Sequence, residues 1–343
     1  MIKDELTENK DNVSFLSLIQ AHVGENYSML NIIEHLKPDI CIADYLWVMP
    51  WMVKVDIPVV PVMSTSPNDL YNGPPLFSAY SVNDPPELWE EFKSLREQAE
   101  SRFSDKVNEL FRSFGVEYVP RTYAKQLGIY IYPEFLDYNE LGSPMANWMR
   151  LDSAIRLTGS NEFVIPDKLK NLPGKLIYVS MGTLASRVHE LMNMIISALS
   201  KSPHRFIIST GLHGDSLKLH DNMWGDKFID QISVLPHIDL FITHGGSNSL
   251  IEGLTFGRPF LVIPQFGDQL DNGQRIADLG FGNKINLWEF NEAELLEKIE
   301  LVLNDQRIRE NVIRASKELK KSDSGDKVCC AIERLVLNSE SSV

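Results

Sequence analysis

Cysteine is scarce in this chain: three in 343 residues, Cys41, Cys329 and Cys330. That number builds no disulfide framework and the spacing matches no metal-ligand pattern, which fits a reducing compartment. Basic residues are outnumbered, 33 Lys and Arg against 47 Asp and Glu, for a net charge of −14. A face that neutralises nucleic-acid phosphates needs clustered Lys and Arg, so a nucleic-acid partner is not expected. No apolar run reaches the ~18–20 residues that span a bilayer. The opening MIKDELTENKDNVS lacks the basic and apolar regions of a signal peptide. Together these absences make the cytoplasm the expected address. Histidine is thin as well: only His22 and His35 precede residue 150.

What is present is an ordinary globular composition, 43% apolar and 23% charged, in a chain long enough for two domains. Short apolar runs at 40–43, 59–63, 129–132, 176–179, 205–209, 240–243 and 260–263 predict buried strands. Between them, helical spacing covers 85–127, 188–200, 248–256, 271–279, 291–303 and 306–320. Strand and helix in alternation predict parallel, doubly wound sheets. The turn-former cluster Asn171-Leu172-Pro173-Gly174 marks a linker at about 158–174, giving domains over residues 1–160 and 161–343.

One block concentrates the chemistry: FIDQISVLPHIDLFITHGGSNSLIEGLTFGRPFLVIPQFGDQ, residues 228–269. The strand 240–243 ends at His244-Gly245-Gly246, and Ser247-Asn248-Ser249 open a helix. Unpaired N–H groups and the positive end of the dipole make such a helix start an anion site. Glu252 follows about two turns after His244, and Asp268-Gln269 follow the next strand.

These residues resemble the nucleotide-binding signature of the UDP-glycosyltransferase family, and the likeness runs from about Pro38 to about Leu337. It implies an α/β GT-B fold, two Rossmann-like domains facing across a cleft, and inverting hexosyl transfer from a UDP-sugar. The acceptor would be a hydroxyl of a small lipophilic molecule, as in detoxification. No metal or other cofactor is implied, because helix N–H groups and His244 take the place of a cation. By resemblance Phe228 stacks on uracil and Gln231 reads its edge. His244, Gly246, Ser247, Asn248 and Ser249 cradle the diphosphate, and Glu252 accepts from the ribose hydroxyls. Asp268 and Gln269 hold the donor sugar, while Ser180, Gly182 and Thr183 give further nucleotide contacts. Ser64 and Thr65 lie on the sugar or acceptor side.

Bland alternatives exist for each residue: a core phenylalanine, a surface glutamine, an ordinary helix cap, a turn aspartate. Asp44, after the strand at 40–43, resembles the aspartate that orients the family's catalytic histidine; otherwise it caps a turn. No histidine matches the catalytic one, since His35 ends a helical stretch, IIEHLK, and His22 lies in a helix–turn, IQAHVGEN. Forty-three residues precede Asp44, and a βαβ unit takes ~30 or more. The opening strands of the first domain and its histidine loop are therefore expected to be missing, leaving that domain incomplete. Three readings follow: a transferase for small lipophiles, a lipid-sugar transferase of bacterial type, or a catalytically impaired binder of UDP-sugar or lipophiles.

Overall fold

A computed structural model describes the backbone of residues 12–155, 163–182, 189–211 and 214–340. Side chains are described from Gly24 to Leu337 within those spans, Trp288 excepted. The chain divides into two compact units: 1–131 with 138–151 and 323–343, and 132–137 with 152–322.

The first unit opens with helix α1 (Asn12–Leu36), a single continuous helix that includes the segment around His22 where a turn was expected. Strand β1 (Cys41–Asp44), the short helix α2 (Pro50–Lys54) and strand β2 (Val59–Met63) follow. Helix α3 (Pro86–Ser113) is shorter than its apolar pattern predicts. It stops where Gly115 adopts φ +78°, a left-handed residue that ends helices. Strands β3 (Gly128–Ile131) and β4 (Trp148–Leu151) complete a parallel four-stranded sheet in the order β1-β2-β3-β4.

The second unit carries six parallel strands. In chain order they and their helices are α4 (Asp167–Lys170), β5 (Leu176–Ser180), α5 (His189–Leu199), β6 (Arg205–Ser209) and β7 (Met223–Asp226). Next come α6 (Gln231–Val234), β8 (Leu240–Thr243), α7 (Ser247–Thr255), β9 (Phe260–Val262), α8 (Gln269–Asp278) and β10 (Gly282–Lys284). Helices α9 (Glu292–Asn304) and α10 (Gln306–Leu319) end the unit, each capped at its start by an aspartate or asparagine side chain. The sheet order is β10-β9-β8-β5-β6-β7. Strands β5, β8 and β9 are buried along their whole length, as two-sided cover by helices requires.

The last helix, α11 (Ser324–Glu340), belongs to the first unit. Val328, Ala331, Ile332 and Leu335 pack it with Ile129, Met149 and Leu151. The division thus falls at Leu151 and Asp152, not at 160, and the C-terminus does not go with the second unit. A second departure is at 132–137, where the chain leaves β3, joins the second unit, and returns before β4. Among the described residues no helix is long and apolar enough to cross a membrane.

Candidate functional site

Strand order decides where a ligand can sit. In the second unit the sequence of strands reverses between β5 and β8, which lie side by side with Ser180 opposite Thr243. Ligands of open parallel sheets bind beyond the carboxyl ends of strands at such a switch point. The two loops that leave there are Ser180 to Gly182 and His244 to Gly246, the residues the sequence singles out. Thr183 lies outside the described residues.

The two loops fit one another through glycine. Gly182 has φ +71°, and a Cβ there would lie 2.6 Å from His244 Nε2. A Cβ on Gly246 would lie 2.7 Å from the same nitrogen, so the imidazole occupies space that two glycines leave open. Burial holds the His244 pKa down to about 4, with a hydrogen bond to the Ser180 backbone pulling the other way. His244 is therefore neutral at pH 7, and the positive field at this turn comes from peptide dipoles.

Helix α7 begins at Ser247 with Gly246 as its N-cap, a residue with no side chain to cap the first N–H groups. An uncapped helix start at a switch point is an anion cradle by geometry and by dipole. Of the cradle side chains, Asn248 is exposed and Ser247 is buried. The Ser247 hydroxyl donates to Asp268 Oδ2 at 3.0 Å, so it ties the cradle to the next loop.

Gln231, at the start of α6, donates from Nε2 to Glu252 Oε2 at 2.5 Å and to Ser249 Oγ at 3.3 Å. Residues 21 positions apart, expected to read base and ribose, thus form one polar cluster. Just before it, the Phe228 ring is 73% exposed, an apolar face open to stacking. Asp268 stands as N-cap of α8 beside Ser247. Gln269 is buried, and its Oε1 accepts from the backbone N–H of Gln265 at 3.0 Å, so that carbonyl shapes the loop.

In the first unit, Ser64 donates to Asp44 Oδ1 at 2.9 Å at the carboxyl ends of β1 and β2. Thr65 accepts from Arg121 Nη2 at 2.9 Å. Ser64 and Asp44, singled out separately in the sequence, are thus brought together. His35 is exposed in the last turn of α1, and the side chain of His22 lies outside the described residues.

The family described as UDP-glucoronosyl and UDP-glucosyl transferase matches residues 174–323. Residues 174–323, 150 of the 343, therefore form a region similar to the UDP-glycosyltransferase family. It is 29% identical over 177 residues to the uncharacterized UDP-glucosyltransferase YojK of Bacillus subtilis, covering 51% of this chain and 43% of that protein. UDP-glucuronosyltransferase 1A6 of Oryctolagus cuniculus is 34% identical over 145 residues, 41% of this chain and 27% of that protein. The chain thus spans less than half the length of these curated relatives. Among solved structures, the glycotransferase of kitacinnamycin aligns with TM-score 0.74 and 17% identity over 96% of this chain and 84% of that one. The calicheamicin glycosyltransferase CalG4 aligns with TM-score 0.64 and 19% identity over 96% of this chain and 82% of that one. The fold is GT-B, with parallel sheets in two Rossmann-like domains.

Around this site, sequence reasoning missed the parts played by two residues. Arg258 braces the loop ahead of β8, where its Nη1 and Nη2 donate to the carbonyls of Ile238 at 2.6 Å and Pro236 at 3.0 Å. Asn272 is fully buried next to the cradle, bonded to Gly245, Ser247 and Asp268. Its one signal in the sequence is its place on α8, one turn beyond Asp268.

Proposed function

We propose that the protein transfers a hexosyl group from a UDP-sugar to a hydroxyl of a small lipophilic acceptor, with inversion at the anomeric carbon. The observation that carries this is the Gln231–Ser249–Glu252 cluster set beside the uncapped start of α7 at the switch point. Uracil stacks on Phe228 and meets the Gln231 side of the cluster. Glu252 accepts from the ribose hydroxyls, a role suited to a carboxylate with two acceptor oxygens. The diphosphate lies on the N–H groups of Gly246 to Ser249, and Asp268 accepts from hydroxyls of the sugar.

In the transfer, the acceptor oxygen bonds to the anomeric carbon as the bond to the diphosphate oxygen breaks. UDP leaves with that electron pair, and the helix start stabilises the charge that builds on it. The acceptor's proton passes to a general base, which Asp44 would orient by resemblance to the family; Asp44 accepts from the Ser64 hydroxyl. We infer that the donor site needs no metal, since neutral dipoles already face the diphosphate. The names of the relatives, UDP-glucosyltransferase and UDP-glucuronosyltransferase, support a UDP-hexose donor. Conjugation of lipophiles, as in detoxification, is the biological setting proposed.

A second reading, a UDP-sugar binder with impaired catalysis, is supported by the bond that Asp44 Oδ1 accepts from the Ser64 hydroxyl at 2.9 Å. Calorimetry with UDP-glucose tests the donor site: micromolar to submillimolar binding supports it, and no binding by the folded chain refutes both readings. Release of UDP with phenolic or steroid acceptors separates transferase from binder.

A further inference from the structure

We propose that Asn272 is a positioning residue of the donor site, set in place by Tyr132, which holds the turn after β8 and the Asp268 carboxylate in fixed register. This rests on the donor-site reading given above. Asn272 is 0% exposed and Tyr132 is 1% exposed. The Asn272 amide nitrogen donates to Gly245 O at 2.9 Å, to Ser247 Oγ at 3.1 Å and to Asp268 Oδ2 at 3.2 Å. Its carbonyl oxygen accepts from the Tyr132 hydroxyl at 3.0 Å.

The orientation of that amide is forced. Gly245 O and a carboxylate oxygen are acceptors only, so the NH₂ end must face them and the oxygen must face Tyr132. A flipped amide would set oxygen against oxygen inside a buried site, which is costly. Tyr132, by donating to the amide oxygen, holds the orientation that these acceptors select.

The consequences reach two functional loops. Asp268 Oδ2 receives both the Ser247 hydroxyl and the Asn272 amide, which fixes the rotation of the carboxylate proposed to meet the sugar. Gly245, held by its carbonyl, is the residue with φ +88° that turns the chain into α7. A residue that merely packed α8 against the sheet would need none of these bonds.

Tyr132 is itself anchored. It opens the segment 132–137, which belongs to the same unit as the donor site. Arg275, three residues beyond Asn272 on α8, donates Nε to Leu136 O at 2.7 Å and Nη2 to Asp137 O at 2.5 Å. Phe135 and Phe281 meet edge to face with centroids 5.7 Å apart. One face of α8 therefore grips this segment while Asn272 and Asp268 serve the donor loops.

The experiment compares UDP with UDP-glucose by calorimetry on the full chain, with a thermal melt on each protein. Asn272→Asp keeps the shape but replaces the donors with a second carboxylate beside Asp268. Its affinity for UDP-glucose should fall roughly tenfold or more. UDP should lose less, so the advantage of UDP-glucose over UDP shrinks. Tyr132→Phe, which keeps the ring and folds, should shift that ratio in the same sense by about two- to fivefold. A structural role lowers the melting temperature but leaves the ratio unchanged, and an unchanged ratio in both variants overturns the proposal. Should Asn272→Asp fail to fold, Tyr132→Phe decides alone. A folded wild type that binds neither ligand overturns the donor-site reading instead.

Discussion

The side-chain nitrogen of Gln231 lies 2.5 Å from a carboxylate oxygen of Glu252, joining the start of α6 to the second turn of α7. The bond is charge-assisted and partly buried, so each partner orients the other. Removing the acid does two things: it deletes the acceptor proposed for the ribose diol, and it takes from the Gln231 amide its charged partner.

Glu252→Ala should accordingly weaken UDP binding by roughly ten- to hundredfold, the worth of ~1.5–3 kcal/mol for hydrogen bonds to a charged group. Gln231→Ala should cost less, because Glu252 keeps its place on the helix. Calorimetry checks both, and a larger loss for Gln231→Ala than for Glu252→Ala would reverse the assigned roles.

Gly182 makes a sharper test of how the two loops fit. Its φ of +71° disfavours any other residue, and the added Cβ would stand 2.6 Å from the His244 ring. Gly182→Ala should lower stability by about 1–3 kcal/mol from backbone strain and overlap. Because the imidazole must shift, UDP affinity should fall as well. Gly115→Ala has positive φ (+78°) but open space around it, so it should lose stability with UDP affinity intact. Equal binding losses in the two variants would contradict the packing account.

The core strands of the second unit were legible because two-sided burial demands continuous apolar runs, as in Leu176 to Ser180 and Leu240 to Thr243. Strands β7, Met223–Asp226, and β10, Gly282–Lys284, were not, because each lies at an edge of the sheet and neither sequence carries such a run. The start of α7 was legible from local spacing: glycines, then hydroxyls, then an acid. Asn272 was not, since its partner Tyr132 lies 140 residues away and a polar residue on a helix is usually exposed. Burial of His244, which keeps it neutral, is likewise a property of packing and has no mark in the sequence. Helix α11 misled for a related reason: its apolar face packs on strands far back in the chain.

Neutral His244 has a pH consequence. Burial holds its folded pKa at about 4, under the ordinary 6.5, so on acidification the unfolded chain takes up this proton first. The stability tied to the neutral ring is fully present above pH 6.5 and is lost as the pH falls to 4. The full effect is on the order of 3 kcal/mol. Melts of wild type and His244→Gln between pH 7 and 4 isolate it, with the wild type losing more. Binding of UDP-glucose should stay flat from pH 8 to 6. Affinity rising steeply across that range would mean a cationic imidazole at the diphosphate.

The source of the positive field at the proposed diphosphate site can be tested as well. The start of α7 offers backbone N–H groups with no capping side chain, and His244 beside it carries no charge at pH 7. Aligned peptide dipoles of this kind amount to about half a positive charge at a helix start and already point at the ligand. A divalent ion would need hard oxygen ligands placed to share the diphosphate. Asp268, the carboxylate that reaches the cradle, accepts there from Ser247 and Asn272. UDP-glucose should therefore bind within about twofold of the same affinity with excess EDTA and with millimolar Mg²⁺. In contrast, affinity should weaken with added salt, because the attraction between dipoles and phosphates is screened. Titrations under these conditions distinguish the two sources of positive field. A loss of tenfold or more on chelation would replace the helix cradle with a metal bridge.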